Sequence, residues 1–204
     1  TSGATMTELY AYTPRIGPPL AVALFMAALG LFSWRRRSVP GAQPFAVACL
    51  FAMLWLVGIV AEVAAIDLPA KLTWTKFQAV WSAPAITAMT CFALEYAYPG
   101  RWLTRRNLLL LSIPSLLALV LILTNDHHHL IWHESSAEGP FPPLRGIGHS
   151  ILTGYGLGLV LVNISVFVWL FVRSPQHRWP VALMAFGQVT SRVLYTLDLI
   201  AGDS

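Results

Sequence analysis

Charge is what this sequence lacks. Only 11% of its 204 residues are charged, thirteen Lys and Arg against nine Asp and Glu, while 56% are hydrophobic. A soluble domain carries roughly 25% charged residues and needs them to clothe its surface. The shortage excludes a soluble enzyme, a nucleic-acid module and a disordered regulator. Cysteine is scarcer still. Cys49 and Cys91 are the only two, and both fall within apolar stretches. No CxxC motif exists, and no pair outside those stretches can make a disulfide staple. The first dozen residues lack the basic stretch and cleavage motif of a signal peptide.

What the chain has instead is long apolar runs, six of them, over 16–34, 45–66, 77–98, 108–124, 149–172 and 179–200. About 20 apolar residues in helix cross the roughly 30 Å of hydrocarbon in a bilayer. None of the runs alternates with the period of two that a barrel strand shows. The expected fold is therefore all-α, a polytopic transmembrane helix bundle in which residues 1–204 form a single domain. Connections between the runs are short except for 125–148, which is rich in His, Pro and Glu. A loop of that length is more often functional than idle.

The arginines orient the bundle. Arg35, Arg36 and Arg37 follow the first run, Arg101, Arg105 and Arg106 the third, and Arg173 and Arg178 the fifth. By the positive-inside rule these alternate connections are cytoplasmic and the N-terminus is outside. The net charge of +4 is thus topology, not a surface for nucleic acid. The expected location is the cytoplasmic membrane, as a multi-pass protein.

Several local motifs then combine. Phe92-Ala93-Leu94-Glu95-Tyr96 leads into Gly100-Arg101-Trp102-Leu103-Thr104-Arg105-Arg106. Ile113-Pro114, Leu123-Thr124-Asn125, a His pair and Trp132 follow, and Gln176-His177-Arg178 precedes the last run. This pattern resembles the seven-transmembrane N-terminal sensor region of bacterial and archaeal histidine kinases, whose members also precede diguanylate cyclase domains. The resemblance implies a seventh span after the six present, a cytoplasmic output domain beyond it, and homodimerisation. Six spans that start outside also end outside, so a cytoplasmic output needs that further crossing.

Ionisable groups within spans cost about 2.5–3.5 kcal/mol at a helix centre and usually face the bundle interior. At about 1.5 Å per residue, Arg192 lies roughly 20 Å from the cytoplasmic end of its span and Glu62 roughly 25 Å along its own. Both fall in the outer half, where Gln78, Trp81 and Tyr155 join them as the expected ligand-binding set. Glu95 lies close to Arg105 and Arg106 and is expected to pair with one of them as a structural or signalling lock. Ser150, Gly154 and Gly158 put small residues at every fourth position, which lets helices approach closely, here within the chain. Pro84 and Pro114 are expected kinks.

His127, His128, His129 and His133 form the densest local cluster. His129 and His133 at i, i+4 can chelate zinc or copper, but the amphipathic side chains of His and Trp also suit a membrane interface. The interfacial role is the expectation; no metal and no cofactor is implied. No nucleophile and base are arranged for catalysis, and no lysine lies mid-span to hold a retinal. The expected function is a membrane-embedded receptor that detects an external or membrane-borne small molecule and relays it inward. Its partners are the bilayer and a small or lipid-like ligand. The alternative is a six-span transporter, channel or membrane scaffold. Cysteines introduced at 35–40 and 101–107 should resist labelling from the outside of intact cells, while those at 127–148 react. Outside labelling of the arginine turns would invert the topology.

Overall fold

Hydrocarbon offers the backbone no hydrogen-bond partner, so each apolar run closes its own bonds as helix. A computed structural model describes residues 9–132, 145–174 and 178–202, with side chains up to 190 in the last segment. After a 3-10 turn at Pro14–Ile16 come α1 (Gly17–Arg35), α2 (Ala42–Ala64), α3 (Leu68–Ala97), α4 (Arg105–Leu123), the single-turn α5 (Asn125–His128), α6 (Ile147–Arg173) and α7 (Arg178–Gly202). Among the described residues five helices, α1 to α4 and α6, are long and apolar enough to cross a membrane. Among the described residues the only strand-like pairs are isolated bridges, Tyr10 with Ala65 and Trp132 with Arg145. The protein is a polytopic helical bundle.

Helix α3 is the hub: α2, α4 and α6 pack on it, α1 packs on α2, and α7 packs on α6. Towards the arginine-rich connections, Phe92 and Ala93 of α3 join Phe167 and Leu170 of α6 and Val181 of α7 in one buried cluster. Leucines on the far side of α4, such as Leu109 and Leu116, are exposed, as befits a face against lipid. Helix α3 starts at Leu68, well before the expected apolar run at 77. Hydropathy conceals this start because Lys71, Thr73 and Thr75 are polar. The hydroxyls of Thr73 and Thr75 turn back to the carbonyls of Pro69 and Lys71 at 2.9 and 3.0 Å. Pro69 in the first turn removes only a donor that would have no partner there.

Both expected helix prolines, Pro84 and Pro114, lie inside helices. A proline ring removes one backbone donor and crowds the preceding turn. In α4 that turn is met from outside: the Tyr155 hydroxyl donates to the Leu111 carbonyl at 3.4 Å. The same hydroxyl lies 3.2 Å from Thr87 Oγ1, which is 2.7 Å from Ser115 Oγ. Three helices are thus tied by neutral hydroxyls at one buried point.

The ends of the long connection are built, not loose. Asn125 is buried; its Oδ1 accepts from the Ile131 and Trp132 amides at 2.8 and 3.2 Å, and its Nδ2 donates to the Trp132 carbonyl at 3.1 Å. Gly146 N–H donates to the Ile131 carbonyl and Gly148 N–H to that of Leu130. A Cβ on Gly146 would sit 2.2 Å from the Leu130 carbonyl oxygen, so only glycine allows this clasp. Ile131 and Trp132 are thereby pressed with Ile122 against Ala79 and Val80 of α3 and Leu152 of α6.

The stripe of Ser150, Gly154 and Gly158 meets no described neighbour. Ser150 is exposed, and a Cβ on Gly154 or Gly158 would meet nothing within 4 Å among the described residues. Leu159, Asn163, Phe167 and Leu170 define the buried face of α6, and the stripe lies on the other side of the cylinder. The close approach is made by Gly156, whose Cβ position is 3.4 Å from Ile86 Cδ1. Asn125→Ala, which strands two buried amides, should lower stability by about 1–3 kcal/mol. Gly146→Ala should be comparably damaging and Gly154→Ala neutral, as thermal unfolding in detergent will show. Equal melting of the two glycine variants would discount the clasp.

Candidate functional site at the seam of α2 and α3

Glu62 stands in the last turns of α2, where the helix dipole disfavours a carboxylate. Its partner comes from α3: the Gln78 side-chain amide donates to the Glu62 carboxylate. One turn earlier in α2, Gly58 makes this possible, since a Cβ there would run into Gln78 Cγ and Phe77. The two polar side chains therefore meet because glycine lets the helices close.

An aromatic ladder flanks the pair. Trp74 meets Phe77 edge-on at 5.4 Å between centroids, Phe77 meets Trp81 edge-on at 6.0 Å, and Trp81 stacks on Phe51 of α2 at 5.7 Å. Trp74 Nε1 donates to the Tyr10 hydroxyl at 3.1 Å. Tyr10 is held there because the chain before α1 lies along the end of α2, with Ala11 N–H on the Ala64 carbonyl at 2.8 Å and Ile66 N–H on that of Leu9 at 3.0 Å. Trp81 Nε1, Thr13 Oγ1 and Asp67 Oδ1 are buried without a hydrogen-bond partner among the described residues. A buried indole N–H without an acceptor costs free energy that a ligand acceptor or water recovers. The seam thus brings together stacked aromatic rings, one carboxylate acceptor and one indole donor without a partner among the described residues.

The expected ligand-binding residues do not all converge. Glu62, Gln78 and Trp81 share the α2–α3 seam, but Tyr155 does not. Its partner Thr87 is nine residues beyond Gln78, about half a helical turn out of phase, so Tyr155 works on the opposite face of α3. Arg192 lies in α7, with its side chain outside the described residues. Phe51, Gly58, Trp74 and Phe77 escaped sequence analysis because apolar and small residues in a span look alike whether they face lipid, core or site.

Glu95 departs from its expected partners. Its Oε1 accepts from the Gly100 amide at 3.0 Å, at a turn where Gly100 takes φ +70°. Arg105 and Arg106 are exposed at the start of α4 and form no ion pair among the described residues. The carboxylate locks the turn itself, not an arginine. In the His cluster, His128 Nδ1 accepts from the Leu130 amide and its Nε2 lies 3.1 Å from Thr124 Oγ1. No three His, Cys, Asp or Glu side chains gather as a metal site among the described residues. His133 lies outside them.

The motifs quoted above thus have structural work: Glu95 closes one turn and Asn125 builds another. The family model for the N-terminal 7TM region of histidine kinase matches residues 18–202. The chain belongs to that family. No curated protein and no solved structure matches it. The match spans α1 to α7, so this 7TM region contains the whole α2–α3 seam and both turns. The family is the membrane sensory region of such kinases, separate from their catalytic domain.

One contact of the 7TM region titrates in water. Lys76 Nζ lies 2.6 Å from Asp126 Oδ1, tying α3 to α5. The hydrogen bond from Lys76, and then its charge, hold the Asp126 carboxyl below the ordinary aspartate range. A depressed carboxylate stabilises the fold above its unfolded pKa and ceases to as pH falls through its folded value. The gap in melting temperature between the parent and Asp126→Asn should therefore be steady above about pH 5 and close in stronger acid. The pair is exposed, so the gap should be small and shrink in salt; a gap that widens in acid would contradict this pairing.

Proposed function

We propose that this 7TM region is a receptor that binds a small, mostly apolar molecule at the α2–α3 seam and relays its presence to a cytoplasmic output domain. The orientation is N-terminus outside in the cytoplasmic membrane, which puts the seam in the outer half. The observation that carries the proposal is the Gln78–Glu62 hydrogen bond beside the unpartnered Trp81 indole N–H. Polar groups in a span are costly, and two that meet only because Gly58 gives way are an expensive way to hold helices together. A ligand acts here by differential affinity for two packings of α2 on α3. An acceptor on the ligand takes the Trp81 N–H, and a donor competes with Gln78 for Glu62.

The test is ligand-dependent autophosphorylation of the full-length protein. Trp81→Phe keeps an aromatic ring beside Phe51 and Phe77, with some loss of contact area, and removes the donor. It should shift the response to about tenfold higher ligand concentration, the factor that one hydrogen bond of ~1.4 kcal/mol supplies. Gln78→Leu leaves the Glu62 carboxylate without its donor and should alter the ligand-free set-point, while Glu62→Gln in the same chain restores it in part. If all three variants respond like the parent while inserting and folding normally, the ligand binds elsewhere.

A further inference from the structure

A second feature lies on the side of α1 and α2 away from α3. There α1 and α2 leave a lipid-facing cleft of about 300 Å³, lined by Ala27, Gly30, Leu31, Trp34, Leu50 and Met53 among others, all apolar. Its floor is set by small residues: Gly30 comes so close to α2 that a Cβ would stand 3.2 Å from Cys49 Cβ. Along α1 the lining runs from Met26 to Trp34, about 12 Å at 1.5 Å per residue. That is less than half of the roughly 30 Å hydrocarbon thickness. A spanning helix needs a groove through both leaflets, whereas this one is confined to a single leaflet.

The chain that follows the last lining residue of α1 is strongly basic. Arg35 follows Trp34 directly, and Arg36 and Arg37 continue into a tight turn. The turn is held by the Ser33 hydroxyl on the Ala42 carbonyl at 2.8 Å and by Val39 N–H on the Arg36 carbonyl at 2.9 Å. The Arg36 guanidinium rests 4.6 Å over the centre of the Phe32 ring, on the same lipid-facing helix. All three arginines are exposed. The one ion pair among the described residues joins Lys76 to Asp126, so no described carboxylate neutralises them. An unneutralised guanidinium cluster at the headgroup level takes phosphate oxygens by paired hydrogen bonds.

We infer that the cleft between α1 and α2 is a binding site for an anionic glycerophospholipid, with one acyl chain lying along Gly30 and Trp34 and the phosphate held by Arg35 and Arg37. Bulk lipid wets any apolar face without choosing its headgroup. A chain-sized cleft that ends beside Arg35 and Arg37, which no described carboxylate neutralises, does choose, because basic residues at the surface attract anionic lipid. The site is separate from the α2–α3 seam and does not rest on that seam's ligand.

Trp34 reports on the cleft from within. In full-length protein reconstituted in phosphatidylcholine vesicles, its emission is the difference between the parent and Trp34→Phe. Phosphatidylglycerol with brominated acyl chains should quench that difference at lower mole fraction than brominated phosphatidylcholine. Substituting Arg35 and Arg37 with Gln should weaken the preference by about fivefold each, the attraction of one basic side chain for anionic lipid. High salt should weaken it too. Ala27→Phe, which fills the cleft, should abolish selective quenching; if that variant misfolds, the exposed arginines still decide the matter. Equal quenching by the two lipids overturns the site. So does protection of Trp34 from both, with disulfide cross-linking of Leu31→Cys between copies, because the cleft would then hold a second copy of the chain.

Discussion

The packing of α3 is the constraint on which the rest of the structure depends. It is the helix that touches α2, α4 and α6 together, and its stretch from Thr87 to Ala93 is almost wholly buried. Its faces are chemically distinct. Gln78 and the tryptophans face α2, while Thr87 meets the hydroxyls of α4 and α6. One end carries Lys76 on the α5 clasp, and the other ends at the turn that Glu95 closes. Because close-packed interiors do not deform continuously, any shift of α2 against α3 must be met at these other contacts as well.

Membrane physics explains how each polar group is handled. The charges that would be costliest are given donors: Gln78 for Glu62 and the Gly100 amide for Glu95. Other buried groups have no partner among the described residues: Trp81 Nε1 at the seam, the amide of Asn163 within α6, and one carboxylate oxygen each of Asp67 and Glu95. Asn163 is fully buried and stands one turn from Phe167 in the cluster that α3, α6 and α7 share.

How much of this was legible in the sequence differs by level. Membrane class, helix count per apolar run and family all follow from hydropathy, arginine spacing and the Leu94-Glu95-Tyr96 and Thr124-Asn125 motifs. Helix starts were less legible: the polar first turns of α3 hide Leu68–Gln78 from any hydropathy window. Facing was the least legible. Ser150, Gly154 and Gly158 form a packing stripe by spacing, yet the closer helix approaches are at Gly58 and Gly30, single glycines without a motif. Tyr155 was grouped with Glu62 by depth alone, and depth says nothing of which side of α3 a residue meets. Period and length belong to one helix, whereas a site belongs to the pairing of two.

That pairing also bears on what a sensor of this build can do. A ligand shifts an equilibrium only by the difference in its affinity for the two states, and moving a population from 1:99 to 99:1 takes about 5.5 kcal/mol. At the α2–α3 seam the available terms are an indole donor, exchange of one amide–carboxylate hydrogen bond, and rearranged aromatic contacts. Each is worth about 0.5–3 kcal/mol. Their sum reaches the needed size only if they change together, which favours a ligand that touches Trp81 and the Glu62–Gln78 pair at once. The anionic-lipid cleft on the opposite side of α2 adds a second term on the same helix. Lipid that holds α1 to α2 fixes the outer boundary against which α2 moves. The set-point of the seam would then depend on the charge of the surrounding leaflet as well as on its ligand.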